Sequence, residues 1–353
     1  MKNVIFYTKY SSIGASSRLR TYQYKELFDE TELNCSYSSL FNDEYLNNLY
    51  SSGKRSKFML IVAYFKRFKD LFKIISNDII YIEKELFPYV PFFEFFLFSL
   101  LRKPIFLDFD DAIFHNYDKS SNFFIRFTLS KKLINLSKKS SAILCGNKYI
   151  MEYFIKNGAP STHLIPTSIN INKYSKNINQ LHNTKTVIGW IGTPETAKYL
   201  DIIHQALLEI SKKYSIVVKT IGAKFNFDPS IEYEYIKWKE ISEIEEIDKF
   251  DIGVMPLYDS PFEKGKCGYK LIQYMGCSKP VIASPVGVNK NIVNNNVGFL
   301  ATSKEEWVLH FTTLILDKEL QKSMGKNGHA LVKKEFNRDL VFRLILDLIE
   351  SHL

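Results

Sequence analysis

The sequence predicts an α/β protein built as two doubly wound domains, each a parallel sheet covered by helices on both faces. Three observations predict it. Short continuous apolar runs alternate with longer mixed segments, the rhythm of βαβ units. That rhythm stops in a polar, Asn- and Lys-rich stretch, 168–185, and then restarts. The 353 residues, 46% of them hydrophobic, also suffice for two cores of roughly 150 residues each.

In the first half, "VIFYT" (4–8), "IIYIE" (79–83), "PIFLDF" (104–109), "SAILCG" (141–146) and "HLIPT" (163–167) read as buried strands. Helices are expected between them, at 17–28 and 123–136. In the second half, "TVIGWIG" (186–192), "SIVVKTIG" (215–222), "DIGVMPL" (251–257), "KPVIAS" (279–284) and the short "GFLA" (298–301) are the strands. Helices are expected at 197–213, 242–250, 268–277 and 304–316, and the tail 318–353 reads as helix throughout. The resulting division is a first domain over 1–167, a linker over 168–185 and a second domain over 186–330.

The net charge of +9 favours anionic partners. Nucleic acid is not among the expected ones, because the basic residues are dispersed and no RNP, KH or zinc-finger signature is present. The four cysteines form no CxxC pair and have no histidine cluster beside them, so neither a zinc site nor a disulfide framework is expected. The opening "MKNVIFYTKY" reads as a strand, not as a cleavable leader. "FPYVPFFEFFLFSLL" (87–101) is too short and too interrupted to span a bilayer. It admits two readings: a buried helix under a loop, or a patch on an anionic membrane face, with Arg102, Lys103 and "SKKLINLSKK" nearby.

Ligands of open parallel sheets gather beyond the carboxyl ends of the strands. After 4–8, Gly14 opens a loop into a helix expected to be capped by Ser16 or Ser17. Its first N–H groups suit an anion, with Arg18 in the first turn. After 104–107, "DFDDAIFH" gathers Asp108, Asp110, Asp111 and His115. Carboxylates this close repel unless a cation, a wall of donors or a substrate hydroxyl balances them. Helix capping, contact with sugar or acceptor hydroxyls, and a D-x-D metal site are the three readings of that cluster. After 186–191, "GTPETAKYL" places Gly192 in a turn, Thr193 at an N-cap, Pro194 at the first helical position and Lys198 about one turn in. This is either a phosphate site or a well-capped surface helix.

The stretch "GKCGYKLIQYMGCSKPVIASPVG" (265–287) reads as a helix that starts at Cys267 or Gly268 and runs into a buried strand. Lys266, Lys270 and Gln273, four and three apart, are expected to share one helix face. Two ammonium groups at a helix N-terminus are unfavourable unless an anion lies between them. A diphosphate supplies that anion, Gln273 suits ribose hydroxyls, and Gly287 adds a second glycine turn. Solvated lysines on an ordinary helix are the alternative.

This segment, with the strand and "MPL" before it, resembles the donor-binding segment of GT-B glycosyltransferases, specifically the retaining family 4 type. "IGWIGTPETAKYL" resembles the first strand–loop–helix of their C-terminal domain, and "FLDFDDAIF" is similar to a segment from the N-terminal domain of one bacterial branch. The resemblance covers most of the chain. It implies two Rossmann-like domains facing a cleft, with a C-terminal helix (331–353) returning to the N-terminal domain. It also implies a nucleotide-sugar held by the C-terminal domain, an acceptor held mainly by the N-terminal one, and neither a bound metal nor a cofactor.

The family's Glu-x7-Glu falls on Gly265 and Gln273, with Glu263 or the N-terminal aspartates standing in for the absent first carboxylate. Its diphosphate-binding Arg and Lys fall on Thr193 and Lys198, with Lys266 or Lys270 compensating for the Arg. The residues and the resemblance together lead us to expect donor nucleotide or phosphate contacts from Gly14, Arg18, Gly192, Thr193, Lys198, Lys266, Gly268, Lys270, Gln273 and Gly287. On the same grounds we expect catalytic roles for Asp110, Asp111 and Lys270, and sugar or acceptor contacts from Asp108, His115 and Glu263. The implied activity is transfer of a hexosyl or deoxyhexosyl group from a nucleotide-sugar to a hydroxyl of a glycan or lipid-linked acceptor. The expected setting is bacterial surface polysaccharide synthesis, in the cytoplasm, on the inner face of the plasma membrane. A non-catalytic sugar-nucleotide-binding subunit of a glycan-assembly complex is the alternative, motivated by Gly265.

Overall fold

The computed structural model describes residues 2–52, 56–174 and 185–353. It divides into two compact units: Met1–Thr167 with Gly265–Cys267 and Arg338–Leu353, and Ser168–Lys264 with Gly268–Asn337. Of the expected linker, 175–184 lies outside the described residues. Residues 168–174 are built into the second unit, where the Ile169 N–H donates to the Phe336 carbonyl (3.0 Å) and Ile171–Tyr174 forms a helical turn.

The first unit holds a six-stranded parallel sheet. Its strands are β1 (Lys2–Tyr10), β2 (Leu33–Phe41), β3 (Ile79–Glu83), β4 (Ile105–Phe109), β5 (Ala142–Cys145) and β6 (Thr162–Leu164), in the order β2-β1-β3-β4-β5-β6. Both faces are covered, which is why these strands are apolar without alternation. Ile5 and Tyr7 enter one core; Val4 and Phe6 enter the other. The helix Arg338–Glu350 packs Val341, Phe342, Ile345 and Ile349 into that second core, where the Phe342 ring meets Phe28 edge-on at 4.9 Å.

The second unit repeats the plan. β7 (Thr186–Ile191), β8 (Ile216–Ile221), β9 (Tyr233–Ile236), β10 (Ile252–Met255), β11 (Val281–Ala283) and β12 (Gly298–Leu300) lie in the parallel order β12-β11-β10-β7-β8-β9. Each sheet has a point where the strand order reverses, between β1 and β3 and between β7 and β10. Beyond the carboxyl ends of such strands an open sheet leaves a crevice for ligands.

Several expected elements are corrected. The helix expected at 17–28 is broken into Ala15–Arg20, a 3-10 turn Tyr22–Tyr24 and Lys25–Asp29. The one expected at 123–136 breaks between Phe123–Leu129 and Lys132–Ser137. Residues Pro194–Leu200 form a 3-10 turn before the helix Asp201–Ser211, and the tail breaks between Lys318–Glu335 and Arg338–Glu350.

Candidate functional site

In the first unit, the carboxyl ends of β1, β3 and β4 converge on a buried polar cluster. The helix Ala15–Arg20 starts from Gly14, not from a serine cap. Gly14 is required because a Cβ there would lie 2.4 Å from the Tyr10 Cβ. Ser16 and Ser17 are thereby released for other partners. Ser17 Oγ donates to Glu83 Oε2 (2.5 Å) and accepts from the Tyr10 N–H (2.9 Å). Ser16 Oγ lies 2.5 Å from Asp110 Oδ2 and 2.9 Å from Glu83 Oε1, and accepts from Lys84 Nζ (2.8 Å). With one proton, it serves one of the two carboxylates at a time.

Lys84 completes the cluster, its Nζ 2.9 Å from Asp110 Oδ1. It sits in the left-handed region with φ 67°, a conformation costly for a non-glycine residue and concentrated at functional sites. Burial pushes the Asp110 carboxyl up, but the Lys84 ammonium and the Ser16 hydroxyl outweigh it and hold the group at about 2. Glu83 is raised, chiefly by burial. Half-buried Asp111 is raised by burial and by the neighbouring Asp110 charge, with Lys266 pulling the other way. Of these two aspartates, Asp110 is thus the lowered carboxyl and Asp111 the raised one.

Asp108, expected at a sugar or acceptor, is bonded within the fold. Its carboxylate accepts from Arg20 Nε (3.0 Å) and Nη2 (2.6 Å) and from the Tyr81 hydroxyl (2.5 Å), all deeply buried. Asp108 and Asp110 are thus both engaged, and the D-x-D pair does not offer two open carboxylates to a cation. Among the described residues no group of three or more His, Cys, Asp or Glu is placed to hold a metal. His115 is likewise engaged: Nδ1 lies 2.8 Å from Asp118 Oδ1 and Nε2 2.8 Å from the Tyr149 hydroxyl. Of Arg18 and Arg20, Arg20 is the buried one and Arg18 is half-buried.

Lys266 groups with this first unit, where its carbonyl accepts from Asn147 Nδ2 (3.1 Å). The helix after it begins only at Tyr269, so the expected single face of Lys266, Lys270 and Gln273 does not form. Gly265 packs on Ala112 so closely that a Cβ would lie 2.2 Å from the Ala112 Cβ and 2.7 Å from its backbone nitrogen. No side chain fits there.

In the second unit, β7 ends in a turn at Gly192, where a Cβ would strike the Trp190 ring at 2.4 Å. The Thr193 N–H donates to Thr196 Oγ1 (3.0 Å), fixing the following turn. Lys270 Nζ lies 5.7 Å from the centre of the same Trp190 ring, so Lys270 and the Gly192–Thr193 turn share one neighbour. Exposed Lys198 lies over the Tyr199 ring at 5.4 Å. The Tyr199 hydroxyl donates to Glu263 Oε1 (2.7 Å), and Ser260 Oγ donates to Oε2. Gly268 (φ 70°) opens the helix Tyr269–Gly276, and Gly287 (φ 53°) brings its turn against the Lys264 carbonyl. Gln273 departs from the expected ribose contact: it is 1% exposed and donates through Nε2 to Glu243 Oε1 (2.7 Å).

Sequence reasoning missed Glu83, Lys84, Ser16, Ser17 and Arg20 as members of the first cluster. Glu83 and Lys84 stand at the carboxyl end of "IIYIE", the signal that would have found them.

Residues 171–330 match the family described as glycosyl transferases group 1. No curated protein matches the chain. Among solved structures, Anabaena HepE in complex with UDP and glucose is similar at 15% identity and a TM-score of 0.75, over 99% of this chain and all of that one. The sucrose-phosphate synthase of Thermosynechococcus elongatus aligns over 99% of both chains at 13% identity and a TM-score of 0.73. A glycosyltransferase from Rickettsia africae aligns over 99% of this chain and 98% of that one, at 14% identity and a TM-score of 0.71. The chain thus has the GT-B fold, and its residues 171–330 are similar to the glycosyl transferases group 1 family.

Proposed function

We propose that the protein is a glycosyltransferase that moves a sugar from a nucleoside-diphosphate sugar to a hydroxyl of a glycan or lipid-linked acceptor, in bacterial surface polysaccharide synthesis. The observation that carries this reading is the group 1 match over 171–330, on the segment that holds Lys270 and the Gly192–Thr193 turn at the end of β7. HepE, similar in fold, has been solved with UDP-glucose.

In this reading Lys270, the Gly192–Thr193 turn and the Gly287 turn hold the diphosphate. Their charge and backbone donors stabilise it as it departs. Asp111, the more basic aspartate of the first unit, receives the acceptor's proton, while Lys84 and Ser16 hold Asp110 beside it. If the sugar keeps its configuration, attack comes from the face the phosphate leaves, and no enzyme nucleophile is needed.

The alternative, a sugar-nucleotide-binding subunit without turnover, is favoured by Gly265, which Ala112 leaves no room to replace with a carboxylate. Incubating the purified protein with nucleotide-sugars and candidate acceptors, and following nucleoside diphosphate release, separates the two. Acceptor-dependent release supports the transferase. Tight donor binding with no release for any acceptor supports the subunit.

A further inference from the structure

The helix Lys57–Asp70 is amphipathic in the wrong sense for a water-facing surface. Phe58, Ile61, Val62, Phe65 and Phe68 recur on one side and are each half exposed or more, Phe58 by 74%. Arg67, on the opposite side, is 2% exposed. Its Nη2 donates to the Thr8 carbonyl (2.6 Å), and its guanidinium lies 4.9 Å over the Tyr7 ring. A surface helix of a globular protein in water does the reverse.

Two neighbouring segments repeat the inversion. Around the helix Phe93–Leu100, Phe92, Phe96 and Leu100 point outward at four-residue spacing, while Glu94 is 1% exposed and ion-paired to Lys132 (2.8 Å). The helix Phe123–Leu129 exposes Phe123, Phe124 and Phe127. The three are contiguous. The Phe68 and Phe93 rings lie 6.1 Å apart, and Phe92, Phe96 and Phe127 line one groove of about 470 Å³. Scattered exposed apolar residues need no explanation; a continuous aromatic face does.

Charge selects the occupant. Among the described residues from 56 to 139, no Asp or Glu is exposed. Lys57, Lys66 and Lys69 flank the apolar side of the first helix, and Arg126 and Lys131 lie at the third. A second copy of this face would set lysine against lysine. No described helix is long and apolar enough to cross a membrane.

We infer that this face of the first unit docks on an anionic lipid bilayer. Its phenylalanines seat at the boundary of headgroups and acyl chains, and its lysines rest on headgroup phosphates. The inference stands on exposure and charge alone and is independent of the donor reading.

Co-sedimentation of the full chain with vesicles of phosphatidylcholine, with and without phosphatidylglycerol, tests it. The wild type is expected to bind the anionic vesicles at low salt and to be released by high salt. Lys66→Ala/Lys69→Ala weakens binding about 25-fold, at about fivefold per lysine. Phe58→Ser/Phe65→Ser abolishes it while leaving the circular dichroism melt within a few degrees of wild type, because both rings are mostly exposed, by 74% and 61%. A tryptophan at position 65, introduced by Phe65→Trp, is expected to shift to the blue with vesicles and to be quenched by brominated acyl chains. Failure to sediment with anionic vesicles, or binding indifferent to the Phe pair, overturns the inference. So does a blue shift of Phe65→Trp that needs only protein self-association in sedimentation velocity, which assigns the face to a second copy.

Discussion

Lys84 Nζ sits 2.9 Å from Asp110 Oδ1 with both side chains withdrawn from water, and the Lys84 backbone is left-handed, with φ 67°. The pair organises the polar cluster of the first unit, since Ser16 bonds to both members. A buried pair of this kind contributes little net stability when intact, but leaves an uncompensated charge when one partner is removed.

Lys84→Met is therefore expected to cost about 3–5 kcal/mol at neutral pH, and Lys84→Met/Asp110→Asn to recover most of that loss. The pH dependence follows from the depressed carboxyl. Asp110 titrates at about 2 in the folded chain, below an unfolded aspartate at about 3.9. Its contribution is thus complete above the unfolded value and is lost as the pH falls toward the folded one. Without Lys84 the carboxyl rises, and the acid limb of the stability curve moves to higher pH. Urea melts across the acid range, on all three proteins, check both statements.

Asp111 is the proton acceptor of the proposed reaction. Asp111→Asn is expected to lower kcat by a factor of about 10²–10⁴, the usual range for loss of a general base, while donor affinity stays within about twofold. Single-turnover assays beside donor titrations read the two effects apart. Loss of donor affinity instead of turnover would move Asp111 out of the acceptor role.

Gln273 tests the second unit from the opposite direction. The resemblance read from the sequence implies a carboxylate at this position, but here the amide donates to Glu243 in a buried setting. Gln273→Glu sets two carboxylates against each other, so one must take up a proton or the pair repel. The variant is expected to lose about 1–3 kcal/mol at neutral pH, less under acid, where one carboxyl is protonated. Gln273→Glu/Glu243→Gln restores the hydrogen bond and the stability. Paired thermal melts at neutral and acid pH suffice.

What the sequence discloses here follows burial. Strands enclosed on both faces, such as β3 with "IIYIE" or β7 with "TVIGWI", announce themselves as apolar runs. The edge strands β2 and β9 do not, because "LNCSYSSLF" and "YEYI" lie at the sheet margins and carry polar residues at their partly exposed positions. The acidic segment "DFDD" is legible as a cluster, but not the division of labour within it. Asp108 turns to Arg20 and Asp110 to Lys84, partners supplied by elements far along the chain. The same limit applies to Arg18 and Arg20. Two residues apart, they face different sides of a helix, and nothing local says which side is buried. Lys266 lies before the helix that Gly268 caps, so a helical spacing extended back to it does not hold, although the helix itself starts next to the expected Gly268.

The central claim is that the second unit holds a nucleoside diphosphate through Lys270, and calorimetric titration tests it most directly. Wild-type protein and Lys270→Ala are titrated with UDP, GDP, dTDP and CMP. Selective binding of one nucleoside diphosphate by the wild type is predicted, weakened at least about tenfold in Lys270→Ala, or about 1.4 kcal/mol, with an unchanged melting temperature. No binding of any nucleotide, or equal affinity in the variant, contradicts the account.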